Sequence, residues 1–213
     1  MNIVQVLSST VKRNRIVSAA LAALLTSVSL PALAGDAAAG KDVAAPCAAC
    51  HGSDGNSVAP NWPKLAGLGE RYMLKQLNDI KSGARSIPEM MGQLDNMSGE
   101  DLENLAAYYA SQTMSGGVAK AELVAEGESI YRGGVKDSGI SACTACHSPT
   151  GKGNVLAGFP RLSGQHATYI EAQLLKFQTT DRNNDSESVM RDIAKRMTAA
   201  EIKAVSSYAS GLR

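Results

Sequence analysis

Large side chains are scarce in this chain of 213 residues: aromatics make up 4%, with one Trp and two Phe. Small domains built from such a composition alone bury too little apolar volume to stand unaided. An excess of charge is also missing. The formal net charge is +1, which excludes the basic footprint of a nucleic-acid binder. No stretch alternates apolar and polar residues as a half-buried strand does, and helical spacing dominates, so the expected fold class is all-α. Beyond residue 34, no apolar run approaches the ~20 residues of a membrane span. Cysteine and histidine are rare, four and three, and their placement carries most of the functional information.

Residues 1–34 read as a cleaved signal peptide. Lys12, Arg13 and Arg15 form a positive start, Ile16 to Leu30 is mostly apolar, and Pro31-Ala32-Leu33-Ala34 supplies an A-x-A-like cleavage site. The run is short and rich in Ser and Ala, which makes an uncleaved anchor the lesser alternative. The mature chain is then an exported one, Gly35 to Arg213, with 18 Lys+Arg against 20 Asp+Glu. Its length suits one or two domains.

All four cysteines lie in two pentapeptides, Cys47-Ala48-Ala49-Cys50-His51 and Cys143-Thr144-Ala145-Cys146-His147. C-x-x-C-H is the attachment signature of a c-type haem. Two cysteines three positions apart sit on one helical turn and reach the two vinyl groups of one porphyrin, and the adjacent histidine comes up beneath the iron. Zinc knuckles and structural disulfides are the competing readings. The motifs favour two covalent haem c groups. These also explain the thin aromatic content, because each porphyrin is a large apolar body at the centre of a small core.

The repetition extends well beyond the cysteines. Asn61-Trp62-Pro63-Lys64-Leu65-Ala66-Gly67 matches Gly158-Phe159-Pro160-Arg161-Leu162-Ser163-Gly164 at an offset of 97. Tyr72, Gln76, Leu77 and Ile80 match Tyr169, Gln173, Leu174 and Phe177; Met90, Met97, Ser98, Leu102, Leu105 and Tyr108 match Met190, Met197, Thr198, Ile202, Val205 and Tyr208. The chain is a tandem duplication, read as residues 35–115 and 116–213, with the linker at Gln112 to Ala119 around Gly116-Gly117. Expected helices cover Asp36 to Ala45, Lys120 to Tyr131 and Glu70 to Lys81 with Gly83 as its stop. A last helix in each copy opens on a capping box, Ser98 with Asp101 and Thr198 with Glu201. The second copy inserts a loop, Gly133 to Gly139, ahead of its motif.

A haem iron held by one His has a second axial position to fill, and Met there suits electron transfer. Met90 with Met190 and Met97 with Met197 recur in both copies. Met97 and Met197 stand where a hydrophobic staple precedes a helix cap, so Met90 and Met190 are assigned as ligands. Met91 aligns with Arg191 and is assigned to packing. Pro63 and Pro160 offer backbone carbonyls to the ring N–H of His51 and His147, an ordinary loop proline being the equal alternative. His166 has no partner in the first copy, where Gly69 aligns, and is assigned a surface or capping position without chemistry.

The two stretches CAACHGSDGNSVAPNWPKLAGLGERYMLKQL and CTACHSPTGKGNVLAGFPRLSGQHATYIEAQL resemble the dihaem cytochromes c4 over essentially the whole mature chain. The resemblance implies two class I cytochrome c folds about a pseudo-twofold axis, each with a His/Met haem. It matches Met90 and Met190 to the family's ligands and Pro63 and Pro160 to its prolyl carbonyls. It implies a monomeric periplasmic electron carrier, soluble or loosely membrane-associated. The carrier takes electrons from a membrane cytochrome complex and passes them toward a terminal oxidase. The alternatives are an electron-accepting subunit of a flavoprotein dehydrogenase and a dihaem peroxidase. The matched methionines argue against the peroxidase, which needs a vacant or displaceable iron position.

Overall fold

Caps and close crossings, rather than long amphipathic runs, determine how these helices assemble. The computed structural model describes residues 35–213, and the signal peptide read over residues 1–34 lies outside them. Asp36 starts the first helix, α1 (Ala37–Val43), by accepting from the N–H groups of Ala38 and Ala39, two of the donors a helix start leaves unpaired. The short α2 (Ala48–His51) carries the first motif. Then come α3 (Glu70–Lys81) and α4 (Gly99–Ser111). The second copy follows the same course through α5 (Val124–Gly133), α6 (Thr144–His147), α7 (Ala167–Gln178), α8 (Val189–Ala194) and α9 (Ala199–Gly211). Among the described residues, β structure is limited to two isolated bridges, Val135–Ile140 and Asn154–Phe159. The first of these closes the inserted loop.

In each copy the first and last helices cross closely, α1 on α4 and α5 on α9. A Cβ at Gly40 would overlap the Asn104 carbonyl, and one at Gly127 would overlap that of Ala204. Glycine at the crossing is therefore a packing requirement, and it aligns Gly40 with Gly127 and Ala44 with Tyr131. Helix α3 packs on α4, and α7 packs on α9 and α8. Both capping boxes form as expected: Ser98 and Asp101 cap α4, Thr198 and Glu201 cap α9, each worth about 1 kcal/mol. Behind them α4 buries Leu102, Leu105, Ala106 and Tyr109, and α9 buries Ile202, Val205 and Tyr208. Fully burying a leucine contributes about 1.5–3 kcal/mol.

The buried apolar residues fall into two separate clusters, one per copy, so the chain has two lobes with independent cores. The linker between α4 and α5 lacks helix over 112–120, yet its backbone is tied down. Buried Lys64 donates from Nζ to the carbonyls of Ser115 (3.1 Å) and Gly116 (3.4 Å) and to that of Gly164 in the second lobe (2.8 Å).

One assignment needs correction and a second needs completing. Met91 is 78% exposed, so it packs against nothing. It follows the 3-10 turn Pro88–Met90 with extended ψ, which swings it away from the core that Met90 faces. His166 holds the N-cap position of α7, as expected, though without a side-chain cap bond; its ring crosses to the other lobe, with Nε2 3.0 Å from the Ser57 carbonyl.

Candidate haem centres

Each motif is helical through the residues that matter. Cys47 and Cys143 have helical φ/ψ and lead directly into α2 and α6, so the cysteines of each pair stand one turn apart on the same side. Right after the histidine the backbone breaks, with φ +79° at Gly52 and φ +67° at Ser148. That break turns the chain back past the ring. In the second lobe the Tyr131 hydroxyl donates to the Ser148 carbonyl at 2.8 Å, bracing a conformation that is normally reserved for glycine.

His51 and His147 are 7% and 8% exposed. Nδ1 of His51 donates to the Pro63 carbonyl at 2.9 Å, and Nδ1 of His147 donates to the Pro160 carbonyl at the same distance. A carbonyl only accepts, so the proton sits on Nδ1 and the lone pair on Nε2 points elsewhere. Burial pushes both ring pKa values down, against the opposing pull of the prolyl carbonyls. Both rings are thus set as neutral donors of an Nε2 lone pair, the form in which imidazole binds a metal. Met90 and Met190 lie half-buried against the cores of their own lobes. Met197 is buried beside the cap of α9, and Met97 packs on the first-lobe core ahead of α4, as staple residues do.

Between the lobes lies a polar network whose contacts are exchanged pairwise. Arg85 donates to Gln76 of its own lobe (2.8 Å) and to Tyr169 and Gln173 of the other (3.0 Å each). Arg182 donates to Gln173 of its own lobe (2.9 Å) and to Tyr72 and Gln76 of the other (3.1 and 3.0 Å). Such reciprocity is what an approximate twofold produces. Both arginines are 7% exposed, and among the described residues neither makes an ion pair with a carboxylate. Arg182 stacks over Phe177 at 4.4 Å. Burial favours the neutral Tyr72 phenol, but the positive charges of Arg182 and Arg85 outweigh it and hold its pKa down.

The cytochrome c family model matches residues 37–113 and again 124–212, once per lobe. Cytochrome c4 of Pseudomonas aeruginosa is 54% identical over 196 residues, covering 90% of this chain and 98% of that protein. The chain belongs to the cytochrome c4 family. The crystal structure of reduced recombinant cytochrome c4 from Pseudomonas stutzeri has a TM-score of 0.83 at 52% identity, covering 84% of this chain and 100% of that one. A protein of Thiomonas intermedia named as a thiosulfate dehydrogenase electron acceptor is 39% identical over 175 residues, 80% of each chain.

As a cytochrome c4 family member, the chain is a dihaem electron carrier rather than an enzyme, and its cofactors are two haem c groups. The residues present fit that cofactor. All four cysteines are free, one pair per motif helix, with a histidine lone pair available beside each pair. Among the described residues, no group of three or more His, Cys, Asp or Glu side chains is placed to hold a metal ion. Burial pushes the Cys143 thiol up to about 11. No helix among the described residues is long and apolar enough to cross a membrane. The paired arginines escaped the sequence reading, although Arg85 and Arg182 stand at the same offset of 97 as the tyrosines and glutamines they bind.

Proposed function

We propose that this protein carries single electrons between respiratory components in the periplasm, taking them from a membrane cytochrome complex and delivering them toward a terminal oxidase. The observation that carries this reading is the duplicated pairing of a buried histidine, its ring N–H held by a prolyl carbonyl, with a half-buried methionine on the same lobe's core. Each haem supplies a one-electron Fe(II)/Fe(III) couple. Cys47, Cys50, Cys143 and Cys146 would hold the two groups through thioethers. His51 with Met90, and His147 with Met190, would ligate the irons, leaving neither site open to oxygen or peroxide. Pro63 and Pro160 fix the orientation and basicity of the histidines.

In this reading residues 1–34 are removed on export, 35–115 and 116–213 are the two domains, and the mature protein is a monomer, soluble or loosely membrane-associated. A second reading is favoured by one specific observation. The Thiomonas intermedia relative is named for accepting electrons from a thiosulfate dehydrogenase, and the same two-lobed module would serve a dehydrogenase here. A pyridine haemochrome count with a redox-resolved visible spectrum tests the site. Two haems per chain and the methionine–iron band of the ferric form are expected, and one haem or no such band would overturn the ligand assignment. Purification from periplasm and membrane fractions separates the two readings. A co-eluting dehydrogenase would favour the second.

A further inference from the structure

The peptide unit joining Pro63 to Lys64 is hydrogen-bonded at both ends. Its carbonyl accepts from His51 Nδ1 at 2.9 Å, and its N–H donates to Oε1 of Gln165, a residue of the other lobe, also at 2.9 Å. Gln165 is buried, and its Nε2 donates back to the Lys64 carbonyl at 2.8 Å, so the backbone N–H and carbonyl of Lys64 are both held as another backbone strand would hold them. The neighbouring residue braces the same segment. His166 Nε2 donates to the Ser57 carbonyl at 3.0 Å, and the Ser57 hydroxyl donates to the Trp62 carbonyl at 2.7 Å.

The second lobe has no such arrangement. The Pro160 carbonyl accepts from His147 at 2.9 Å, but among the described residues the Arg161 N–H makes no hydrogen bond. At the offset of 97, the residue corresponding to Gln165 is Leu68, which has no acceptor to offer and is buried in its own lobe's core.

We propose that Gln165 is a positioning residue that acts across the lobe interface on the proximal histidine of the first haem, and on that haem alone. Hydrogen bonds in series polarise one another in a low-dielectric interior, by about 10–30% per bond. An amide that donates from its N–H to Gln165 carries more negative charge on its oxygen and draws harder on the His51 ring proton. A histidine pulled toward imidazolate is a more basic ligand and favours the ferric state. Contact between the lobes thereby lowers the potential of the first haem and leaves the second untouched. The proposal rests on His51 and His147 being the proximal ligands.

The test uses the mature dihaem protein, titrated electrochemically while NMR follows the separately resolved methyl groups of each haem. Two one-electron haem steps in the unaltered protein establish the underlying reading; their absence would sink that reading and the relay with it. Gln165→Leu should raise the potential of the first haem with the second unchanged. Gln165→Glu keeps an acceptor for the Lys64 N–H and should hold the first potential at or below its original value. Asn184→Ala loosens the same interface, where Asn184 donates to Gln76 and Asp79, without touching the Pro63–Lys64 amide, and should leave the first potential in place. A Gln165→Leu shift shared by both haems, no shift, a rise in Gln165→Glu, or an equal rise in Asn184→Ala would each overturn the proposal. A measurement without substitution covers a misfolded variant. In the reduced protein with labelled histidine, the ¹⁵N resonance of His51 Nδ1 should lie further toward imidazolate than that of His147. Equal or reversed positions would also overturn it.

Discussion

The two lobes hold the same histidine geometry on differently built supports. Each has a tilted tyrosine pair, Tyr108–Tyr109 with centroids 5.0 Å apart and Tyr131–Tyr208 at 5.7 Å. Tyr108 and Tyr208 are equivalent, but their partners are not. The first lobe takes its second tyrosine from the last helix and places Ala44 on the first; the second takes Tyr131 from the first helix and places Ala209 on the last. Volume beside the first cysteine is kept while its source moves from one helix to the other. Backbone strain is distributed unevenly too. All the non-glycine residues with positive φ among the described residues lie in the second lobe: Ser148, Thr180, Glu187 and Ser188. Gly52 and Gly83 stand where Ser148 and Thr180 do. After duplication, the prolyl contact to the histidine is retained and the scaffold around it is free to change, provided volume and backbone direction are preserved.

The comparison breaks hardest at the cysteines. Replacing Cys47 and Cys50 with Ala, or Cys143 and Cys146, should leave one covalent haem of the two, read as a halved pyridine haemochrome count. Both halves respond alike if each lobe holds its haem independently, as their separate cores require. Next come the methionines. Met90→Leu and Met190→Leu should each remove one methionine–iron band and sharply lower the potential of one haem, whereas Met97→Leu should leave the spectrum unchanged. Tyr109→Ala and Tyr131→Ala should each cost about 3–5 kcal/mol by denaturant unfolding. If the tyrosines are interchangeable in volume, Ala44→Tyr added to Tyr109→Ala recovers part of that loss.

Smaller effects test the strain. Gly52→Ser should destabilise the first lobe by about 1–3 kcal/mol and Ser148→Gly should stabilise the second by about 1 kcal/mol, seen as opposite shifts in Tm. The smallest effect concerns the second lobe's methionine loop, where Asp185 pairs with Arg191 at 2.7 Å while exposed Met91 stands opposite Arg191 in the first lobe. Burial raises the Asp185 pKa, but hydrogen bonds from the Arg191 N–H and guanidinium outweigh it and leave the carboxyl below its usual value. A depressed folded pKa means the pair contributes above the ordinary value of about 3.9 and is lost as pH falls through the lower one. Asp185→Asn should cost about 0.5 kcal/mol at neutral pH and flatten the acid limb of the second lobe's stability curve.

Much of this molecule is legible in one dimension because its determinants are local. The haem motifs, the two capping boxes and the helix over Glu70–Lys81 depend on spacings of three or four residues, and the duplication turns every local reading into two that check each other. The same offset brought Pro63 and Pro160 to notice, although whether their carbonyls meet the histidines is a matter of how a loop folds back. Met91 was misread because exposure depends on the direction in which a 3-10 turn releases the chain. The capping position of His166 was legible, but the contact of its ring was not, because the partner lies 109 residues away in the other lobe. What the tertiary structure alone decided is the asymmetry between equivalent sites: a tyrosine supplied by one helix or another, and Gln165 gripping one proximal peptide while its counterpart goes free. The tyrosine pairs form where helices cross inside each lobe, and the Gln165 contacts form across the interface, where the packing of two finished cores brings distant side chains within hydrogen-bond reach; no periodicity along the chain encodes either distance.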